Sequence, residues 1–211
     1  MMRLGPRVPQ VCLARAQALL DTGKRCILGI AAQPGAGKST LAALLAEQLG
    51  PATQVVPMDG FHLADAELER LGRAARKGAP DTFDADGYIA LLRRVRRQSA
   101  EEVIYAPCFD RALEAAIAGS IAVWPKTRLV ITEGNYLLLD VSPWSLVRQC
   151  LDESWYLCVD DDFRREQLLR RHMHHGRSEA QARTWIDSTD EPNADLIARY
   201  VHRADHVVRW D

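Results

Sequence analysis

The 211-residue sequence has no long apolar run, no excess of one charge and no closely paired cysteines. Because no apolar run could span a bilayer, we expect no membrane partner. The net charge of −1 gives no broad basic surface, so nucleic acid is not an expected partner either. The first residues also lack the apolar core that is typical of a signal peptide.

The five cysteines are scattered, and none belongs to a Cys-x-x-Cys pair. Cys26 and Cys158 lie in apolar, strand-like runs, which is typical of buried thiols. This distribution favours a reducing compartment, so the expected location is the cytoplasm.

Short apolar runs alternate with helical stretches along most of the chain, and nearly half of the residues are hydrophobic. This alternation predicts an α/β fold in one domain, residues 1–211, with helices on both faces of a parallel sheet. The predicted strands are Cys26–Ala31, 54–58, 129–132, 155–159 and 206–210.

Two segments interrupt the strand–helix alternation. Residues 64–123 form a long insertion, in which 87–98 is a predicted helix. Residues 164–177 form a helix rich in arginine and histidine that ends near Gly176. We expect the first segment to cover a substrate and the second to act as a lid.

The most informative motif stands between the first strand and the predicted helix 41–49, and it consists of Gly35, Ala36, Gly37, Lys38, Ser39 and Thr40. The order of strand, glycine-rich loop and helix predicts a phosphate-binding P-loop, in which backbone N–H groups and the helix dipole hold phosphates. Lys38 would reach the β- and γ-phosphates, and the Ser39 hydroxyl would bind Mg²⁺.

Acidic residues close two further strands. Asp59 follows the second strand and could accept the proton of an acceptor hydroxyl, or it could be a helix N-cap. Glu133 closes the third strand and could hold Mg²⁺, or it could be an ordinary strand-terminal charge. Since ligands bind at the carboxyl ends of parallel strands, we expect both carboxylates to lie beside the P-loop.

The helical lid carries candidate arginines. Arginines on a lid can close over ATP and neutralise the transferring phosphoryl group, although a solvated basic helix would look the same. Of these side chains we favour Arg171 and Arg177 as functional. The nearby His172 and His175 lack the further partners that a zinc site needs.

The motifs as an ordered set resemble the uridine kinase/pantothenate kinase group of P-loop kinases, and most closely its bacterial fructose-transport-system kinase and nucleoside/nucleotide kinase-like branch. The matching stretches are Gly35-Ala36-Gly37-Lys38-Ser39-Thr40, Met58-Asp59-Gly60-Phe61-His62, Arg76-Lys77-Gly78-Ala79-Pro80-Asp81-Thr82-Phe83-Asp84, Tyr105-Ala106-Pro107-Cys108-Phe109-Asp110-Arg111, Glu133-Gly134-Asn135-Tyr136-Leu137, and Arg171-His172 with Gly176-Arg177.

The resemblance implies a three-layer α/β/α fold with a five-stranded parallel sheet, a lid and a substrate-covering insertion. It implies transfer of the ATP γ-phosphate to an alcohol with the help of Mg²⁺. It places Asp59 as the catalytic carboxylate and Glu133 as the acid associated with Mg²⁺. The residues that would line the acceptor pocket are His62, Phe83, Asp84, Arg111 and Tyr136.

The acceptor and the oligomeric state stay open at this point. The run Gly60-Phe61-His62 departs from the Ser-Phe-Tyr type run of uridine kinases, and the stretch that ends at Asp84 looks more like pantothenate kinase. A sugar, a nucleoside or a pantothenate-like acid is compatible with these motifs, and so is a homodimer.

Two other classes of function compete with a kinase. A regulatory ATPase or nucleotide switch would bind ATP without an acceptor, and an interaction protein would keep only the fold. The chain has no Asn-Lys-x-Asp guanine motif and no Ser-Gly-Gly signature, so it is neither a typical GTPase nor an ABC-type ATPase. The insertion and the intact set Lys38, Ser39, Asp59 and Glu133 favour the kinase.

Replacing Lys38 with Ala should lower phosphoryl transfer by about 10²-fold or more, because one electrostatic contact to the transition state is lost. Folding should persist, since a P-loop lysine faces ligand and not the core. Steady-state turnover and thermal melting of the variant measure both effects. Near-normal turnover would refute the P-loop assignment.

Overall fold

A parallel five-stranded sheet forms the centre of the computed structural model, which describes residues 7–210. The predicted unit 1–211 therefore includes residues 1–6 and 211, which lie outside the described part. The strands in chain order are β1 (Cys26–Ala31), β2 (Thr53–Pro57), β3 (Ile104–Asp110), β4 (Ala115–Val123), β5 (Leu129–Gly134), β6 (Glu153–Cys158) and β7 (His206–Arg209). The central sheet has the order β2-β5-β1-β6-β7, while β3 and β4 pair only with each other.

The sheet confirms the predicted parallel α/β architecture. β1 lies between β5 and β6, and every residue of β1 and β5 is buried. Strands buried on both faces are nearly continuous apolar runs, which is why these two were visible in the sequence. The register pairs Glu133 with Ile30 of β1 on one side and with Pro57 of β2 on the other.

Helices cover both faces of the sheet. They are α1 (Gln10–Asp21), α2 (Lys38–Leu49), α3 (Asp65–Arg70), α4 (Ala85–Arg96), α5 (Asp161–His174), α6 (Glu179–Trp185) and α7 (Glu191–Ala198). Successive strand residues point to opposite faces, so Leu28 packs with α1 and α2 while Ile27 packs with α4. Among residues 7–210, none of the helices combines the length and the apolar composition that spanning a bilayer requires.

The insertion contains α3, several short 3₁₀ turns, α4 and the antiparallel hairpin β3–β4. The sequence predicted its main helix but missed the hairpin. β4 is rich in alanine and carries a glycine, and β3 contains Pro107 beside a shift of register between Ala106 and Cys108. Both features are weak or contrary signals for a strand.

The hairpin explains the glycine that follows Asp59. A Cβ atom on Gly60 would lie only 2.4 Å from the Pro107 carbonyl oxygen. The backbone of β3 therefore approaches Gly60 so closely that a side chain at this position would collide with it. This contact packs the middle of β3 against the 3₁₀ turn, Met58–Phe61, that follows β2.

The first half of α5 is anchored to the rest of the protein through Arg164. Arg164 is buried, and its guanidinium donates to Glu191 at 2.8 and 3.0 Å and to Asp161 at 3.1 Å. Its backbone also packs on the P-loop, because a Cβ on Gly35 would meet the Arg164 carbonyl oxygen at 2.5 Å. Within the predicted lid 164–177 the first turns are thus an anchor, and the distal end borders the cavity described below.

Replacing Arg164 with Ala should lower the free energy of unfolding by roughly 3 kcal/mol, because a buried ion pair loses one partner. Arg165 is the matched control, since it donates to the same Glu191 at 2.8 Å but is 51% exposed, whereas Arg164 is 2% exposed. Arg165→Ala should cost only about 0–1 kcal/mol. Urea unfolding of both variants measures the difference, and equal losses would contradict the assigned anchor.

Candidate active site

A cavity of about 460 Å³ opens where β1, β2 and β5 end. Its wall combines five carboxylates with five lysine or arginine side chains, and these are Asp59, Asp65, Glu114, Glu133, Asp190, Lys38, Lys77, Arg111, Arg171 and Arg177. Such a density of both charges in one enclosed space is typical of a site that binds a charged ligand. The strand ends therefore meet at one cavity, as the sequence predicted.

The P-loop forms one wall of this cavity through Pro34, Lys38 and Ser39. The turn between them, Gly35 to Gly37, has positive φ at both glycines, +82° and +88°. These are left-handed conformations that side chains disfavour. Thr40 lies in the first turn of α2, exposed and outside the cavity wall.

The surroundings of the Lys38 ammonium group suit the binding of an anion. Burial lowers the pKa of its ammonium group, while Glu133 and then Asp59 act in the opposite direction. The Nζ atom donates to the Gln33 carbonyl oxygen at 3.3 Å, which is a long bond for a charged donor. A phosphate group between the loop and this ammonium would give it a full-strength partner.

Glu133 is buried at the end of β5 and accepts a hydrogen bond of 2.8 Å from the Ser39 hydroxyl. Burial raises the pKa of Glu133, Asp59 raises it further, and Lys38 opposes them. A hydroxyl and a carboxylate oxygen side by side are hard ligands of the kind that Mg²⁺ prefers. The residues present therefore fit the predicted metal site of Ser39 and Glu133.

Asp59 sits in a 3₁₀ turn, Met58–Phe61, that directly follows β2. Its side chain caps no helix, so the alternative left open by the sequence does not apply. It accepts a bond of 3.2 Å from Arg111, which the β3–β4 hairpin brings across 52 positions of sequence. The carboxylate thus faces the cavity together with a cation.

Aromatic rings surround the cavity next to Asp59. The His62 ring lies between Phe83 and Phe109, with centroids at 4.1 and 4.7 Å, and its Nδ1 donates to the Asp59 carbonyl oxygen at 2.8 Å. Burial lowers the pKa of His62, so the neutral ring is favoured. Phe109 was not singled out from the sequence, and in the structure Lys77 and Arg111 lie over its ring at 5.5 and 5.7 Å.

Two residues that the resemblance assigned to the acceptor pocket have structural roles. Asp84 is the N-cap of α4, where it accepts from the Gly87 amide at 2.8 Å, and it is outside the cavity wall. Tyr136 is fully buried, and its hydroxyl donates to the Gly78 carbonyl oxygen. Its ring packs on Phe83, so Tyr136 supports the cavity from behind.

The end of the cavity that α5 and the turn after it form carries the two favoured lid arginines. Burial lowers the pKa of Arg171, and Arg111 across the cavity lowers it further. Within residues 7–210 Arg171 has no ion pair of its own. Arg177 lies over the Trp185 ring at 4.0 Å. A π-helical segment, Ile186–Asp190, adds Thr189 and Asp190 to this end, and no pattern in the sequence marks such a segment.

Comparison with known proteins indicates a P-loop kinase, the same class of protein that the geometry of the site indicates. Residues 27–210 match the model of the phosphoribulokinase/uridine kinase family, and the chain belongs to this family. In Schizosaccharomyces pombe the protein named "Putative uridine kinase C227.14" is 37% identical over 206 residues, covering 92% of this chain and 87% of that protein.

Solved structures agree with this membership. The crystal structure of a "putative fructose transport system kinase" from Silicibacter sp. TM1040 is 37% identical, has a TM-score of 0.84, and is matched over 93% of this chain and 98% of that one. YFH7 from Saccharomyces cerevisiae has a TM-score of 0.84 at 19% identity, covers 96% of this chain and 99% of its own, and shows the shared fold. The predicted resemblance and the P-loop kinase fold are confirmed, and the family supports a kinase of a small molecule.

Replacing Glu133 with Gln should weaken Mg²⁺ binding by roughly 10–100-fold, because a neutral carboxamide replaces the charged oxygen that would hold the ion. The Mg²⁺ concentration that half-saturates binding of a non-hydrolysable ATP analogue measures this change. Glu114→Gln is the control, because it removes the same charge from the hairpin side of the cavity. An unchanged Mg²⁺ requirement in Glu133→Gln would contradict the metal site.

Proposed function

We propose that this chain is an ATP- and Mg²⁺-dependent kinase that transfers the γ-phosphate to a hydroxyl group of a small metabolite. The observation that carries the proposal is the convergence of Lys38, the Ser39–Glu133 pair and Asp59 on one cavity. These groups supply a phosphate-binding cation, oxygen ligands for a metal and a proton acceptor. They follow three neighbouring strands, so the sheet itself holds their spacing.

The reaction requires one bond exchange and one proton transfer. The acceptor oxygen forms a bond to the γ-phosphorus while the bond from that phosphorus to the β–γ bridging oxygen breaks, and ADP leaves with the electron pair. The hydroxyl proton passes to the Asp59 carboxylate, which Arg111 holds at 3.2 Å. Ser39 and Glu133 would hold Mg²⁺, which would add positive charge beside the phosphates.

The cations of the site have the electrostatics that this transfer needs. Burial lowers the pKa of Lys38 and of Arg171, and repulsion from the Arg111 charge lowers both further. A polyanion among them relieves this repulsion, and it does so most where charge spreads over the transferring phosphoryl group. The protein's main contribution is therefore positioning and charge.

The acceptor would bind between Asp59 and the hairpin. His62, Phe83 and Phe109 form an aromatic wall there, and Lys77 and Arg111 add donors beside it. Sugars, nucleosides and pantothenate-like acids all have hydroxyls that suit this wall. Thermal-shift screening of a metabolite library with a non-hydrolysable ATP analogue identifies the acceptor class, because a bound ligand stabilises the folded state.

The hairpin favours a kinase over a nucleotide switch. It contributes Phe109, Arg111 and Glu114 to the cavity and packs on Gly60 beside the candidate base. A switch without an acceptor has no need of a wall that encloses space on the far side of Asp59.

The decisive variant is Asp59→Asn, which keeps the shape of the side chain but removes the charge and the proton acceptor. Transfer to the acceptor should fall by roughly 10²–10⁴-fold, the range for a positioned general base. Affinity for the ATP analogue should change little, because Lys38, Ser39 and the loop remain. Acceptor-dependent turnover and analogue binding are measured on the same preparation.

Asp65→Asn is the matched control, since Asp65 also lines the cavity but pairs with Lys77 at 2.6 Å. It should retain most of the turnover. If Asp59→Asn instead loses ATP affinity and keeps turnover at saturating MgATP, Asp59 serves the metal and the switch is the better description.

A further inference from the structure

A chain of side-chain contacts connects α5, the turn after it and the π-helical segment 186–190. His172 Nε2 lies 2.8 Å from Asp190 Oδ2, and its Nδ1 lies 2.9 Å from Arg177 Nη1. The Arg177 guanidinium in turn lies over the Trp185 ring, 4.0 Å from its centroid. All four residues border the cavity, although only Arg177 had been favoured from the sequence.

The chemistry of these partners fixes the proton on His172. A guanidinium can only donate, so Nδ1 must accept the bond from Arg177. Nδ1 therefore carries no proton, and the imidazole is neutral with its proton on Nε2. That N–H donates to the Asp190 carboxylate, which can only accept when it is ionised.

The rest of the network is held firmly. Asp190 and Thr189 are buried, and the π-helical turn that carries them joins α6 directly to α7. The Arg177 amide donates to the His172 carbonyl oxygen at 3.2 Å, next to Gly176 with φ of +91°. Asp190 is thus held in place by its surroundings. Its hydrogen bond orients the His172 imidazole, and the imidazole in turn orients the Arg177 guanidinium.

We propose that His172 is a positioning residue of the kinase site, whose single tautomer, selected by Asp190, holds Arg177 against Trp185 at the edge of the cavity. This inference rests on the proposed function. In this proposal Arg177 contacts the phosphates. His172 and Asp190 contact only other side chains and contribute by holding Arg177 in position. The other cation at this end, Arg171, lines the cavity without an ion pair or a comparable holder among the described residues 7–210.

The tautomer is measured without any substrate. Two-bond ¹H–¹⁵N spectra of the ¹⁵N-labelled protein at pH 8 should show His172 protonated on Nε2 alone, with its signals assigned by their loss in His172→Gln. Asp190→Asn should populate the Nδ1–H tautomer as well, because a carboxamide can donate to Nε2. A wild-type His172 that is a tautomer mixture, or protonated on Nδ1, would overturn the proposal even if the kinase activity is established.

Kinetics test whether His172 acts through Arg177. His172→Ala and Arg177→Ala should each lower kcat by roughly 10–10²-fold, the effect of a misplaced catalytic group. The double variant should be no slower than Arg177→Ala alone, because both changes remove the same contact. Additive losses would show that His172 works independently, and the proposal would fail.

Rescue separates positioning from general disruption. His172→Gln offers both an acceptor and a donor, so it should recover most of the kcat that His172→Ala loses. His174→Gln is the control on the same helix, exposed and outside the cavity wall, and should match the wild type. Failure of Gln to rescue, with an unchanged melting temperature, would contradict the hydrogen-bonding role. Failure to find any acceptor would refute the proposed function and leave the spectroscopic result standing.

Discussion

The parallel register of β1, β2 and β5 is the constraint on which the site depends. β5 lies between the other two strands, so Glu133 is paired with Ile30 on one side and Pro57 on the other. The loop after β1 then supplies Lys38 and Ser39, and the turn after β2 supplies Asp59. Because every residue of β1 and β5 is buried, this register cannot slip without displacing core side chains.

At the carboxyl ends of these strands the protein holds charged side chains that would be unfavourable in an apolar core. Glu133 is buried and Lys38 is half-buried, their pKa directions oppose their charged forms, and each charge favours the other. The buried ion pair of Arg164 with Glu191 fixes α5 on the P-loop, whereas the distal end of the same helix carries Arg171 to the cavity. One helix thus has an anchored half and a half that borders the cavity.

Sequence reasoning predicted the parts of the fold and site that short segments encode. The buried strands, the P-loop and the carboxylates after strands were visible because each follows from local order and the geometry of parallel sheets. Asp84 and Tyr136 were assigned to the acceptor pocket by resemblance, but a helix cap and a buried support for Gly78 explain them better. The hairpin was missed because its alanines and Pro107 are poor strand signals.

The sequence by itself determined the class of protein, since the phosphate-binding loop and its flanking strand and helix lie within about two dozen consecutive residues, where local geometry suffices. Only the tertiary structure decided which distant side chains meet: Arg111 with Asp59, Arg164 with Glu191, and His172 with Asp190. Such contacts depend on how a hairpin folds back and on a π-helical turn, and both are set by packing between elements. The sequence specifies the chemical type of each side chain, whereas its contact partners are determined only when the chain folds.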